Sequence, residues 1–292
     1  MAPHLSYPPT ATSEIQAADG TPLFVRHWQL PASAQRKASA LLLHGLGEHG
    51  GRYGHVARVL NQAGIDVWAH DHRGFGKSGG DRARIPDRDT FVEDAKWVFD
   101  KICADAKGKG DAAQPFLLGH SMGGAIAARA VTGGWVTPRA LVLSSPGLMS
   151  YLNTATRVAV RGLELVSPGL AVPHGLPLDK ISHDQAVLAD AKADPLNHTL
   201  ISPRITMFIV EAGEAAIRDA GKLTMPVLIQ AAGDDKLVDP GGAKAFAAAA
   251  PSGLCTLKLY DGLYHEIYNE READRARVLA DLKDWLTRQL AA

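Results

Sequence analysis

Short apolar runs alternate with longer segments of helical periodicity along most of the chain, as expected when parallel strands are covered on both faces by helices. The runs lie at 40–43, 65–69, 115–118, 140–143, 227–231 and 256–260; helical segments fall at 53–63, 89–106, 122–132, 241–250 and 271–290. The last is the clearest, because Val278, Leu282, Trp285 and Leu286 share one helical stripe and must face the sheet. Ahead of the alternation, residues 15–17 and the partly alternating Leu23, Val25 and His27 flank Asp19-Gly20, the pattern of a hairpin. The hairpin and the six runs predict a mostly parallel eight-stranded sheet flanked by helices.

Residues 147–220 break this rhythm. Scattered Pro and Gly replace the strand-helix unit, and apolar side chains are frequent. They read as a helical cap inserted into a core made of 1–146 and 221–292. Leu148, Met149, Leu152, Val158, Leu163, Val166, Leu170, Val172 and Leu176 are the candidates for an apolar passage under it.

Composition changes this picture little. The 31 basic and 31 acidic side chains of the 292 residues cancel, so no electrostatic footprint for nucleic acid exists. Cys103 and Cys255 stand far apart in no metal-ligand or redox spacing. No stretch reaches the roughly 18 apolar residues of a membrane span, and residues 1–13 lack the pattern of a secretory leader. These features predict a soluble, cytoplasmic protein without a transmembrane segment, which could touch a membrane surface transiently through the cap. Oligomeric state is open.

The chemistry concentrates after the run at 115–118. Gly119-His120-Ser121-Met122-Gly123 matches G-x-S-x-G, the elbow that exposes a nucleophilic serine between strand and helix in α/β-hydrolases. Gly76-Lys77-Ser78-Gly79-Gly80 matches the same pattern but sits in a polar, Gly-rich loop, so Ser78 is read as a loop residue. A serine hydroxyl needs a histidine to take its proton and a carboxylate to orient that histidine. In this fold the partners follow in the order acid, then histidine, and His265 alone among the twelve histidines lies beyond the late strands. Asp234, Asp235 and Asp239 compete for the acid; Asp239, before Pro240, reads as a helix cap, and spacing does not separate the other two. Oxyanion donors are the Met122 amide, directly after the nucleophile, and the Leu46 amide in the Gly-rich loop after an early strand.

Several blocks together resemble the monoglyceride lipases and their lysophospholipase-like relatives: 44–53 (HGLGEHGGRY), 69–78 (AHDHRGFGKS), 119–124 (GHSMGG), 235–239 (DKLVD) and 260–266 (YDGLYHE). They cover roughly residues 40 to 270 in the family's order. The resemblance implies the α/β-hydrolase fold, Asp235 as the acid, and Glu48 and Arg52 as residues shaping the polar, substrate-binding end of the site. It also implies a lipid-like ester as substrate, cleaved through an acyl-enzyme with no cofactor and no metal. An aminopeptidase or a carbon–carbon bond hydrolase could use the same triad. A P-loop is excluded because Asp71 stands where its first glycine is required, and His70, His72, His44, His49 and His55 follow no zincin spacing.

Overall fold

The computed structural model describes residues 5–108 and 114–291; the first four residues of the segment read for a leader lie outside them. Eight strands form one sheet: β1 (Ala11–Gln16), β2 (Pro22–Trp28), β3 (Ala38–Leu43), β4 (Ile65–His70), β5 (Phe116–His120), β6 (Leu141–Ser144), β9 (Val227–Ala232) and β10 (Cys255–Tyr260). Two further strands, β7 (Val172–Pro173) and β8 (Leu200–Ile201), pair separately as a two-residue ribbon. The sheet order is β1-β2-β4-β3-β5-β6-β9-β10. β1 and β2 pair with their neighbours antiparallel, and β4, β3, β5, β6, β9 and β10 are parallel throughout. The central strands β3, β5, β6 and β9 are buried at every residue, which explains why they read as unbroken apolar runs.

Helices α1 (Gly54–Gln62), α2 (Thr90–Gly108), α3 (Met122–Thr132), α7 (Gly241–Ala249) and α8 (Glu272–Ala291) fall within two residues of the expected segments. The side chains of one sheet face pack with α2, α3 and α7 in a cluster centred on Leu43, Phe91, Leu117 and Phe246. Those of the other face pack with α1 and α8, around Leu60, Phe116, Leu282 and Trp285. Both faces are therefore closed, and the loops at the carboxyl ends of the parallel strands are left to carry chemistry.

The 147–220 segment contains α4 (Thr154–Val166), α5 (Gln185–Ala193), the β7–β8 ribbon and α6 (Pro203–Asp219). α6 packs on α3, and its Ile205, Phe208, Ala212 and Ala216 join the core cluster. Gly213 lets it close on the strand-β6 exit: a Cβ there would lie 2.4 Å from the Leu148 carbonyl oxygen. α4 is the opposite case, exposed along most of its length and anchored by Glu164, which accepts from Arg88 and Arg161.

Candidate active site

Ser121 sits between β5 and α3 with φ 54° and ψ −120°, a left-handed backbone that an L-residue adopts only under constraint. The constraint is visible. Its amide donates to the Ser144 carbonyl at 3.1 Å and its carbonyl accepts from Gly147 at 2.8 Å. The glycines around it are required by crowding. A Cβ on Gly119 would stand 2.2 Å from the Gly123 carbonyl oxygen, and one on Gly123 would stand 2.3 Å from that of Leu43. The second contact seats the first turn of α3 directly on the end of β3.

That seating brings the 44–49 loop beside Ser121. A Cβ on Gly45 would be 3.2 Å from Ser121 Cβ, so the next residue, Leu46, borders the serine. Met122 opens α3, where backbone N–H groups have no intrahelical acceptor. Both expected oxyanion donors thus adjoin Ser121.

The competing aspartates separate cleanly. Asp235 Oδ2 lies 2.7 Å from His265 Nδ1, and its Oδ1 accepts the Leu237 and Val238 amides at 2.8 and 3.0 Å. Asp234 is exposed and pairs with Lys236. Asp239 accepts the Gly241 amide at 2.7 Å from one residue ahead of Pro240, which is itself the N-cap of α7, so Asp239 supports the helix start without being the cap residue expected. Burial raises the Asp235 pKa, but the His265 ring and the two amides outweigh it and hold the carboxyl below its ordinary range. Burial lowers the His265 pKa, and Asp235, Glu266 and Glu48 outweigh it, so the ring titrates above its ordinary 6.5.

Glu48, Arg52 and Glu266 form a buried ion triad. Arg52 donates two parallel bonds of 2.7 Å to Glu266 and one of 2.5 Å to Glu48. The other Glu48 oxygen accepts the Gly45 amide at 2.6 Å and the Tyr53 hydroxyl at 2.5 Å. Glu266 was not singled out in the sequence. Its signal was faint: a carboxylate directly after the candidate base, in a loop that also needs a partner for Arg52.

Ser78 is a loop residue as read. Its hydroxyl donates to the Asp71 carbonyl at 2.5 Å and accepts the Phe24 amide at 2.8 Å. His44, His70 and His72 are fully buried; burial pushes the first two down to about 3 and the third well below its ordinary value, so they are neutral core side chains. Among the described residues no group of three or more His, Cys, Asp or Glu could hold a metal ion.

A cavity of about 540 Å³ joins these parts, with Ser121, His120, His265, Leu46, Glu48, Arg52 and Glu266 at its inner end. Its outer wall comes from Leu176, Leu178, Ile181, Leu188 and the 194–199 turn. Of the nine apolar side chains expected to line a passage, Leu176 alone does so. Leu148 is buried in the core, and Val158, Val166, Leu170 and Val172 face solvent. The difference arises because α4 lies on α6 rather than over the serine, leaving the later half of the insertion to form the roof.

A family model described as serine aminopeptidase, S33, matches residues 34–272. The chain belongs to that family of α/β-hydrolases. Within it, the chain is 34% identical to the monoacylglycerol lipase of Mycolicibacterium smegmatis over 86% of its own length and 88% of the relative's. It is 33% identical to human monoglyceride lipase over 94% and 89%. The solved Paleococcus ferrophilus monoacylglycerol lipase superposes with a TM-score of 0.81 at 29% identity, covering 91% of this chain and 99% of that one. A soluble variant of the Saccharomyces cerevisiae monoglyceride lipase, solved with a substrate analog, gives 0.84 at 25% identity over 97% and 96%. The chain is thus a monoglyceride lipase-like hydrolase of carboxylic esters. Among the described residues no helix is long and apolar enough to cross a membrane.

Proposed function

We propose that the chain hydrolyses monoacylglycerols or similar single-chain lipid esters through an acyl-enzyme on Ser121. The observation that carries this reading is the Asp235–His265 pair set beside a strained serine at the inner end of a cavity with apolar outer walls. With Asp235 ionised, the shared proton sits on His265 Nδ1 and leaves the Nε2 lone pair free to take the Ser121 hydroxyl proton. Ser121 Oγ then attacks the ester carbonyl, and the developing oxyanion accepts from the Leu46 and Met122 amides. His265 returns its proton to the departing alcohol; water attacks the acyl-enzyme by the same route in reverse roles. Glu48 and Arg52 wall the head-group end, while Leu176, Leu178, Ile181 and Leu188 hold the acyl chain.

An aminopeptidase would need a free carboxylate for the substrate's α-ammonium group. Of the carboxylates lining the cavity, Glu48 and Glu266 are engaged by Arg52, Asp194 by His49 and Asp179 by Lys180, which favours the ester. The cap, on this reading, runs from 147 to about 202, with α6 belonging to the core. Its exposed Val158, Leu165, Val166, Leu170 and Val172 suit a brief contact with a lipid interface. Cys103 and Cys255 are free thiols, in keeping with a cytoplasmic location that fractionation would check.

The test is kcat/KM against monoacylglycerols from butyrate to laurate, with aminoacyl amides alongside. Each buried methylene is worth roughly 0.8 kcal/mol, about fourfold, so kcat/KM should climb with chain length until the cavity is filled. A flat series, or faster cleavage of amides, would overturn the substrate assignment.

A further inference from the structure

Two loops bring the reacting groups together: 44–48, with the Gly45-Leu46 amides, and 264–270, with His265. Between them lies the Glu48–Arg52–Glu266 triad. We propose that Glu266 is a positioning residue, whose fork to Arg52, and through Arg52 to Glu48, fixes the histidine loop against the oxyanion loop. The inference rests on the reading of His265 as general base.

The geometry gives the triad this reach. Glu266 follows His265 directly in the chain, so holding its carboxylate holds the backbone from which the base projects. It is held at both oxygens by the two Arg52 bonds of 2.7 Å and again by Asn269 Nδ2 at 2.8 Å. At the other end, the Glu48 oxygen that receives the Gly45 amide fixes the backbone one residue before Leu46. All three side chains are buried and also line the cavity, so the clamp passes beside the reacting atoms. Stability alone is a weak reason for such a triad, since well-packed apolar side chains of the same volume often serve a fold as well or better.

The triad also carries charge. All four oxygens of Glu48 and Glu266 take part in hydrogen bonds, with one guanidinium between the two side chains. The other groups against His265 are Asp235 from the loop after β9 and His120 from the end of β5, and the cap lines the same cavity with His174, Asp179, Lys192, Asp194 and His198. Burial holds His120 near 4, so it is neutral. Glu266 is ionised, because Arg52 overcomes its burial and draws it down to about 2. Asp235, bonded to the ring, and Glu266, next to it in the chain, are therefore the negative charges beside the base, and both act to raise its pKa.

The experiment measures pH profiles of kcat and KM on a short soluble ester for wild type, E266Q and E266D, with thermal melting of each. In E266Q, kcat should fall about tenfold to a hundredfold, the range a small misplacement of reacting groups produces, with KM within about threefold. Its acid limb should move down by roughly half a pH unit or more, since a negative neighbour has been neutralised. E266D keeps the charge and should restore the limb while leaving part of the kcat loss. A limb and a kcat in E266Q that match wild type would overturn the proposal, as would a kcat loss tracking only a lowered melting point. Should E266Q not fold, R52K, which keeps charge and loses the fork, should show the kcat loss with the limb in place; an unchanged kcat there would overturn it equally. Ser121→Ala and His265→Ala report separately: activity surviving in the first would remove the nucleophile assignment, and in the second the base assignment itself.

Discussion

Helices α3 and α4 have similar lengths and opposite fates. Ten of the eleven residues of α3 are buried, against the sheet, α2 and α6; of the thirteen in α4, Glu164 alone is buried. Apolar burial therefore fixes the helix behind the serine, and a charged group holds the cap helix. Free energy follows the same division. Burial of Leu or Ile side chains contributes roughly 1.5–3 kcal/mol each, whereas an ion pair with exposed partners contributes about 1 kcal/mol or less. The lesson is that Ser121 sits on a part of the molecule held by apolar burial, whereas the exposed first half of the insertion is held mainly by charge.

The largest expected effect lies in the rigid region. Asp235→Asn should lower kcat by on the order of 10⁴, because the amide no longer fixes the His265 tautomer, while melting shifts little. Asp239→Asn should stay close to wild type in kcat, since Asn can also accept the Gly241 amide. Comparable losses in both would erase the distinction between the orienting aspartate and the one that supports the helix start.

Next comes packing at the elbow. Gly123→Ala places a methyl group 2.3 Å from the Leu43 carbonyl oxygen and should cost roughly 3 kcal/mol in urea unfolding, with loss of fluorophosphonate labelling at Ser121. Gly162→Ala in α4 meets no neighbour and should be neutral or slightly stabilising. If the two variants unfolded alike, core and cap would not differ as described.

The pH dependence is smaller and has a definite sign. His265 must be neutral to accept the serine proton, and its pKa is raised, so kcat/KM should fall as pH drops, with its midpoint above 6.5. The same shift stabilises the fold below pH 6.5, and that contribution disappears as pH rises through the raised value. A profile flat down to pH 5 would contradict the environment described for the base.

The cap should show the smallest effects on global stability. Glu164→Gln removes the anchor of α4 to Arg88 and Arg161 and should cost about 1 kcal/mol, while amide exchange in α4 speeds more than in α3. Val166→Ser on the solvent face should change stability by less than about 0.5 kcal/mol and still weaken partition onto lipid vesicles. Unchanged vesicle partition would leave the apolar face of α4 without its proposed contact.

What the sequence alone determined follows this division as well. The parallel strands, the five core helices and the strained serine turn were legible because each rests on local patterning or short-range crowding: unbroken apolar runs, 3.6-residue stripes, glycines packed within a few residues of Ser121. The first hairpin strand, expected at 15–17, lies at Ala11–Gln16, where exposure leaves no apolar run to read. The roles of Asp234 and Asp235 were not, since adjacent residues share every local signal, and the direction each side chain takes from the end of β9 separates them. The cap passage was misplaced for a related reason. Apolar residues in α4 and in 176–188 look alike in sequence, and only the docking of α4 onto α6 leaves one group in solvent and the other over Ser121. Glu266 likewise acquires Arg52, which bonds both its oxygens, from 214 positions away. Periodicity records which face a residue takes; it carries no information on which distant charge will meet it there, and that meeting is decided by the packed fold.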